Sequence, residues 1–262
     1  MPIVRMKPDT LNDENRKFDQ RPLMQPVFIN SVPKSGTHLL RNIVRMFVPV
    51  EQQYGDQFIQ YPNLQKHLAA FDPDKRYLSW GHLLFSDASA MELAGVRKII
   101  LYRDPHSWVL ARARFFLSDE FSGNIDQVKG GKITVEELLN LMIFGIYQKV
   151  PGLLDLYMHN AVAWLGTVHG VVKYEELVAN LKKIDDLSAE VYFRNLLAMC
   201  GIDAVPDDWR KRVLIGADPK QSGTARENLT GLAVEIPDVL PDTQKKLVEF
   251  VAPGLRALLG YA

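Results

Sequence analysis

Residues 27–40 read VFINSVPKSGTHLL, and this stretch decides the fold. Its first three residues are apolar and β-prone, while Leu39, Leu40 and Ile43 begin an apolar series at helical spacing. Between the two segments lies a short loop that contains one lysine and one glycine. The stretch therefore predicts a strand, a loop and a helix, with the loop at the N-terminus of the helix.

The loop has the composition of an anion-binding site. Backbone N–H groups in the first turn of a helix lack helical partners, and the helix dipole adds partial positive charge there. We expect the N–H groups of residues 35–39 to be available to a ligand, with Gly36 allowing close approach of the backbone. Lys34 supplies a full positive charge, and the Ser35 and Thr37 hydroxyls are further donors. These features predict a phosphate-like ligand.

The order of lysine and glycine separates this loop from a Walker A sequence, in which the lysine directly follows the second glycine. Here the lysine, Lys34, comes first. Residues 33–37, PKSGT, instead resemble the 5′-phosphosulfate loop of the sulfotransferases that use 3′-phosphoadenosine 5′-phosphosulfate (PAPS), which usually reads PKSGTTW. His38 and Leu39 depart from that form. The resemblance implies that residues 35–38 hold the 5′ end of PAPS.

Composition limits the classes of function. The chain has 262 residues, of which 47% are hydrophobic and 24% charged, as in a globular protein large enough to bury a core. Lys and Arg together number 31, and so do Asp and Glu, so no net basic field attracts nucleic acid or an anionic membrane. Any anion site must therefore be a local one. Cys200 is the only cysteine, which excludes an internal disulfide and a cysteine-rich zinc site.

The segment 1–25 mixes charged residues, amides and prolines, and it has no apolar core of signal-peptide length. No later stretch approaches a membrane-spanning run. We expect a loosely ordered leader over 1–25, a single α/β domain over 26–262 and a cytoplasmic protein. These features leave the oligomeric state open.

Two later strands are predicted to end in residues suited to catalysis and anion binding. Residues 77–82, YLSWGH, form a predicted strand that ends at His82. Residues 96–102, VRKIILY, form a predicted strand that is followed by Arg103. In open parallel sheets, ligands bind beyond the carboxyl ends of the strands, so His82 can face the same ligand as Lys34.

Both strand ends resemble sulfotransferase motifs, in the order in which that family has them. GHL at 81–83 resembles the KTHLP segment with the catalytic histidine, and RDP at 103–105 resembles the turn whose arginine holds the 3′-phosphate of PAPS. The family's serine partner of that arginine falls eight residues later, on Ala111, while Ser107 lies one helical turn earlier, where it can also cap the helix. The resemblance therefore implies a missing phosphate contact.

The second half of the chain matches the family less closely. KYEEL at 173–177 resembles the family's RYEDL, whose tyrosine lies near the adenine. Tyr174 is therefore either an adenine contact or a half-buried tyrosine packed at a strand end. Residues 222–231, SGTARENLTG, occupy the place of the family's FRKGxxGDW loop, where only Arg226 and Gly231 match. Arg226 is the implied second contact to the 3′-phosphate.

Other segments are assigned by their periodicity. Residues 48–74 are polar and aromatic with weak periodicity, and we interpret them as a lid or connecting segment that includes Phe58. A helix is predicted over 134–148, with a capping box that starts at Thr134, and a closing helix is predicted over 242–259.

The resemblance implies a single α/β domain with a central parallel sheet flanked by helices, in a P-loop-like nucleotide-binding topology. The implied reaction is transfer of a sulfuryl group from PAPS to a hydroxyl or amine of a small-molecule, sugar or lipid acceptor, and no metal is required. His82 would take the acceptor proton and Lys34 would stabilise the leaving phosphate. Glu51 is the alternative base.

Two other classes of function stay open. A non-catalytic nucleotide-binding or scaffold protein is consistent with the altered loop around Arg226. A nucleoside-phosphate kinase also uses a glycine loop after its first strand, but the sequence has neither a Walker A lysine nor an obvious Walker B acid at a strand end.

Overall fold

The computed structural model describes residues 3–4, 9–55, 58–118, 121–123, 126–221 and 235–261. The chain divides into two compact units, which are described separately. The sheet unit, which contains the larger sheet, consists of Pro8–Tyr102 and His159–Gly223. The helical unit consists of Met1–Lys7, Arg103–Met158 and Thr224–Ala262.

The strands, in chain order, are β1 (Ile3–Val4), β2 (Val27–Ser31), β3 (Ile59–Gln60), β4 (Leu78–His82), β5 (Arg97–Tyr102), β6 (Phe121–Ser122) and β7 (Gly170–Lys173). The helices are α1 (Leu11–Asn15), α2 (Thr37–Arg45), α3 (Asp87–Glu92), α4 (Pro105–Leu117), α5 (Val135–Phe144), α6 (Leu153–Asn160), α7 (Tyr174–Lys182), α8 (Leu187–Met199), α9 (Trp209–Ala217), α10 (Asp242–Val251) and α11 (Leu255–Leu258). Short 3-10 helices cover Val50–Gln52, Tyr61–Lys66, Leu68–Phe71, Asp126–Gly130 and Val162–Trp164.

The larger sheet consists of parallel strands in the order β3-β4-β2-β5-β7. β2 lies at its centre and is buried along its whole length, as expected for an apolar strand covered on both faces. Val27 pairs with Leu78 of β4 and with Arg97 of β5, so these three strands start level with one another. Their carboxyl ends therefore lie at one edge of the sheet, where the loop after β2 begins and where β4 ends at His82.

Helices cover the sheet within the sheet unit. α2 packs against β2 and α9, while α7 and α8 pack against β7. Ile43 and Val44 of α2, together with Trp209 and Val213 of α9, share a core with Ile29 of β2. Full burial of an apolar side chain of this size contributes about 1.5–3 kcal/mol. The predicted α/β fold, with a central parallel sheet flanked by helices, is confirmed.

The helical unit has its own packing centre around α4, which packs against α5 and α10, while β1 and β6 form an antiparallel pair. Arg112 is buried on α4 and donates hydrogen bonds to the carbonyl oxygens of Met142 (2.9 Å) and Pro151 (2.6 Å). Its guanidinium lies 4.8 Å from the ring centroid of Trp108. Burial lowers the pKa of Arg112 to about 10, yet the paired donors make the buried cation tolerable.

Part of the expected leader packs against the rest of the sheet unit, within the described residues 9–25. Leu11 and Leu23 are buried, and Asn15 of α1 donates a hydrogen bond to the carbonyl oxygen of Arg45 at 2.7 Å. The Arg45 carbonyl oxygen lies in the last turn of α2, where it has no hydrogen-bond partner within the helix. The sequence of residues 1–25 alone does not show this contact. The domain boundary at residue 26 stays a prediction.

Two predicted helices are shorter than expected. The helix predicted over 134–148 ends at Phe144 because Gly145 adopts a φ of 85°, although its capping box is confirmed. The closing helix predicted over 242–259 divides into α10 and α11, with Pro253 between them, because proline has no N–H to continue a helix. Among the helices that the structure describes, none has the length and apolar character needed to cross a membrane.

Candidate active site

The loop between β2 and α2 contains two residues with left-handed backbone conformations. Lys34 has a φ of 69° and Gly36 a φ of 94°. Glycine adopts this region freely, whereas for lysine it costs about 1–2 kcal/mol. Such residues are concentrated at ligand sites, where the surrounding structure holds them. Gly36 is also the N-cap of α2, so the loop ends at a helix N-terminus as predicted.

The structure narrows the set of donors that the loop offers. The Ser35 N–H donates to the carbonyl oxygen of Val32 at 3.2 Å, so it is used within the loop. The Ser35 side chain is fully buried, and its hydroxyl has no hydrogen-bond partner among the described residues. The Thr37 hydroxyl is buried as well and shares a 2.6 Å hydrogen bond with the Ser31 hydroxyl. The Ser35 and Thr37 hydroxyls are therefore buried rather than exposed to a ligand, and Lys34, which is half-buried, stays a candidate contact of the expected anion site.

Tyr174 lies against this loop. It is the first residue of α7, directly after β7, as the sequence predicted. A Cβ atom added to Gly36 would stand only 2.5 Å from Cδ2 of the Tyr174 ring, so the ring covers the glycine. The structure thus supports packing at a strand end for Tyr174, and a contact with adenine stays a prediction.

The imidazole of His82 is held by β2. Its Nδ1 lies 3.1 Å from the main-chain oxygen of Ser31 and 3.0 Å from the Ser31 hydroxyl. A carbonyl oxygen can only accept, so a hydrogen bond to it requires a proton on Nδ1, whereas the Ser31 hydroxyl can donate to Nδ1 or accept from it. With the proton on Nδ1, Nε2 keeps its lone pair, which is the state that a general base needs.

The environment of His82 favours its neutral form. His82 is half-buried, and burial lowers the pKa of its imidazole to about 4. The hydrogen bond to the Ser31 carbonyl raises the pKa, and the positive charge of Lys34 lowers it, both by smaller amounts. His82 is therefore uncharged at neutral pH.

The chain immediately after His82 is fixed by two side chains that the sequence analysis did not single out. Asn30 donates to the carbonyl oxygen of Leu83 at 2.9 Å and accepts from the Leu83 N–H at 2.8 Å. The Trp164 indole N–H donates to the same carbonyl oxygen at 3.2 Å. An asparagine inside an otherwise apolar buried strand is the signal that was available for Asn30, since a buried amide must find partners.

His38 and Phe58 complete the surroundings of His82. The ring centroid of Phe58 lies 4.9 Å from that of His38 and 4.9 Å from that of His82. Nδ1 of His38 is buried and has no hydrogen-bond partner in the described ranges. Burial lowers the pKa of His38 well below its ordinary value, with smaller effects of the same sign from Arg41, His82 and Lys34. Two neutral imidazoles thus contact one aromatic ring.

Arg103 belongs to the helical unit, where its turn is tied down by several bonds. Its Nε donates to the Ser107 hydroxyl at 2.9 Å, and that hydroxyl donates to the Asp104 carbonyl oxygen at 3.1 Å. Asp104 is the N-cap of α4 and accepts two hydrogen bonds from Arg256, at 3.0 and 3.2 Å. The Tyr157 hydroxyl donates to the Arg103 carbonyl oxygen at 2.7 Å. Ser107 is therefore a hydrogen-bond partner of Arg103. Asp104, not Ser107, caps α4.

The remaining candidates are less informative. Ala111 is buried on α4 and has no hydroxyl, as expected. Glu51 is exposed in a 3-10 helix, which is typical of a solvated residue. Arg226 falls within 222–234, outside the described residues. No group of three or more His, Cys, Asp or Glu residues that could hold a metal ion occurs among the residues with described positions.

Comparison with known proteins gives structural matches only. No protein-family model matches the chain, and no curated protein matches it significantly. The chain is similar to the mouse sulfotransferase SULT7A1 complexed with PAP, with a TM-score of 0.57 and 14% identity over 94% of this chain and 88% of that one. It is also similar to retinol dehydratase in complex with androsterone and the inactive cofactor PAP, with a TM-score of 0.52 and 12% identity over 88% of this chain and 81% of the other. The chain therefore has the fold of the PAPS-dependent sulfotransferases.

Proposed function

We propose that this protein is a PAPS-dependent sulfotransferase that moves a sulfuryl group to a hydroxyl or amine of an acceptor. The observation that carries the proposal is the state of His82, a neutral imidazole whose Nδ1 is engaged by Ser31 within electrostatic range of Lys34. A base beside an anion-binding loop fits a reaction that removes a proton and releases a phosphate. The sulfotransferase fold supports the same assignment.

In this mechanism, His82 accepts the acceptor proton at Nε2 while the acceptor oxygen or nitrogen forms a bond to sulfur. The bond between sulfur and the bridging oxygen of PAPS breaks, and its electron pair leaves with the 5′-phosphate. Lys34 offsets the negative charge that develops on this oxygen. The products are the sulfated acceptor and 3′-phosphoadenosine 5′-phosphate, with the proton on His82.

The other contacts follow from the resemblance of the motifs. Residues 35–38 contact the 5′ end of PAPS in this proposal. Arg103 and Arg226 contact its 3′-phosphate, and Tyr174 contacts its adenine. The acceptor is a small molecule, a sugar or a lipid, and we place the protein in the cytoplasm. No metal takes part in the proposed chemistry.

Substitution of the base tests this function. We expect His82→Gln to lower turnover by about 10² to 10⁴. The affinity for 3′-phosphoadenosine 5′-phosphate should stay nearly unchanged, because the base acts on the acceptor. His159→Gln is the matched control, since the His159 side chain is exposed. Turnover is measured with labelled PAPS and a panel of phenol, sugar and lipid acceptors, and binding is measured by calorimetry.

Three outcomes contradict the proposal. Wild-type turnover in His82→Gln would remove the base assignment. Tighter binding of ATP with magnesium than of 3′-phosphoadenosine 5′-phosphate would favour a kinase. Tight binding of the bisphosphate without turnover across the whole acceptor panel would favour a nucleotide-binding scaffold.

A further inference from the structure

Phe58 is placed beside His82 by strand pairing. β3 follows Phe58 directly and pairs with β4, so that Gln60 lies opposite His82. Asn63 donates its amide N–H to the Phe58 carbonyl oxygen at 3.1 Å and accepts from the Gln60 N–H at 2.7 Å. The chain is thus fixed at the Phe58 carbonyl and at Gln60, directly after the residue whose ring meets the imidazole.

The Phe58 ring contacts two histidines, His82 and His38. It lies tilted by 31° against His82 and by 50° against His38, and it packs against the hydrophobic core of the sheet unit. His38 stands where the related sulfotransferase loop usually has a threonine, so a larger and flatter side chain contacts Phe58 here. Neither histidine is charged at neutral pH, so the Phe58 ring contacts two neutral imidazoles.

We propose that Phe58 is a positioning residue for His82: its ring keeps water from the imidazole and holds the orientation in which Nδ1 donates to the Ser31 carbonyl. The inference rests on the proposed function, since it assigns a role to Phe58 in the same site. Phe58 itself touches neither acceptor proton nor sulfur in this mechanism. It acts only through the imidazole.

The charges around His82 make this effect measurable. Lys34 of the loop and His38 of α2 are the titratable groups that act electrostatically with His82 in the described part of the sheet unit. The positive charge of Lys34 disfavours a positive charge on His82, but burial is the largest cause of the lowered pKa of His82. Loss of the Phe58 ring admits water, so the pKa of His82 should rise from about 4 toward its ordinary value of 6.5.

A titration of His82 by NMR tests the inference without any need for turnover. The full-length chain has six histidines, and the His82 signal is the one that disappears in His82→Gln. We expect Phe58→Ala to raise the titration midpoint by at least one pH unit, a tenfold change in proton affinity. Phe58→Tyr keeps an aromatic ring and should stay close to wild type. Phe58→Leu keeps an apolar side chain of similar size and should give an intermediate shift of the His82 midpoint. It replaces Phe58→Ala in the test if that variant does not fold.

Phe71→Leu is the matched control, because Phe71 is a buried aromatic residue of the same unit that packs edge-to-face on Phe28. An unchanged midpoint in both Phe58→Ala and Phe58→Leu would overturn the inference, and so would an equal shift in Phe71→Leu. In active protein, the acid limb of the rate profile should move with the NMR midpoint. Failure of the wild type to turn over PAPS would instead overturn the proposed function, and the NMR titration would still decide whether Phe58 controls His82.

Discussion

The main-chain oxygen of Ser31 lies 3.1 Å from Nδ1 of His82, where the central strand β2 meets the end of its neighbour β4. A carbonyl oxygen at this position favours the tautomer with the proton on Nδ1. No side-chain substitution can delete this acceptor, so the contact depends on the parallel pairing of the two strands. The Ser31 hydroxyl adds a second contact at 3.0 Å and connects the imidazole to Thr37.

The first prediction concerns the pH dependence of stability. The pKa of His82 is about 4 in the folded protein, against 6.5 ordinarily. As the pH falls below 6.5, the unfolded chain binds a proton at this position first, so the free energy of unfolding decreases until the pH approaches 4. We expect His82→Gln to remove a component on the order of 2 kcal/mol from this decrease. Urea unfolding at several pH values between 7.5 and 4.5 measures it.

His159→Gln is the control for this experiment and should keep the wild-type slope of stability against pH. The slope will not vanish in His82→Gln, since burial also lowers the pKa of His38. Identical slopes in the wild type and His82→Gln would show that the His82 imidazole is not enclosed in solution.

The second prediction concerns Lys34. Lys34→Ala should weaken binding of 3′-phosphoadenosine 5′-phosphate by about tenfold or more and also lower turnover, because in the proposed mechanism the ammonium meets both the bound phosphate and the charge of the leaving group. Lys34→Arg should restore little, since a planar guanidinium does not replace a compact ammonium. Lys66→Ala, at an exposed lysine of the same unit, is the control. A loss of affinity with unchanged turnover would exclude the leaving-group role.

The third prediction tests the contact between Gly36 and Tyr174. Gly36→Ala adds a methyl group 2.5 Å from the Tyr174 ring at a φ of 94°, so both strain and a clash reduce stability, by about 2–4 kcal/mol. Gly166→Ala carries only the strain, because Gly166 has a φ of 81° and nothing within 4 Å of its added Cβ. It should cost about 1–2 kcal/mol.

Urea unfolding of both alanine variants, and of Gly36→Ala combined with Tyr174→Ala, separates the two causes. The double variant should regain the part of the loss that comes from the clash, relative to Tyr174→Ala alone. Equal losses in Gly36→Ala and Gly166→Ala would show that Tyr174 does not cover the loop.

The fourth prediction concerns recognition of the 3′-phosphate. Arg103→Ala should weaken binding of 3′-phosphoadenosine 5′-phosphate by about 1.5–3 kcal/mol. Binding of adenosine 5′-monophosphate, which has no 3′-phosphate, should weaken far less. Ser107→Ala should give a smaller loss of the same selectivity, because the Ser107 hydroxyl accepts from Nε of Arg103 and orients it. Ala111→Ser should strengthen binding of 3′-phosphoadenosine 5′-phosphate by about 1 kcal/mol if the new hydroxyl reaches the 3′-phosphate. Calorimetric titration of both nucleotides measures all three variants.

Equal losses for the two nucleotides in Arg103→Ala would show that this arginine does not read the 3′-phosphate. A Ser107→Ala variant with wild-type affinity for both would show that the 2.9 Å bond from Arg103 has no role in binding.

Several features of the fold were predictable from local sequence. The strand, loop and helix of residues 27–40 were recognised because apolar periodicity and a single glycine are local signals. The strand ends at His82 and Tyr102 were recognised for the same reason. The end of α5 at Phe144 was not predicted, since a glycine such as Gly145 can either end a helix or lie within it.

The candidate site was decided by the tertiary structure. His82 and Ser31 are 51 positions apart, and only the register of β4 on β2 brings Nδ1 to the carbonyl oxygen. Phe58 reached His82 through the pairing of an edge strand, and the Ser35 hydroxyl turned inward, although the sequence had suggested a ligand donor. The sequence alone determined which residue types stand at the strand ends, because periodicity is a property of neighbouring residues. Which of those residues touch depended on strand order and register, which arise from burying the faces of the whole sheet.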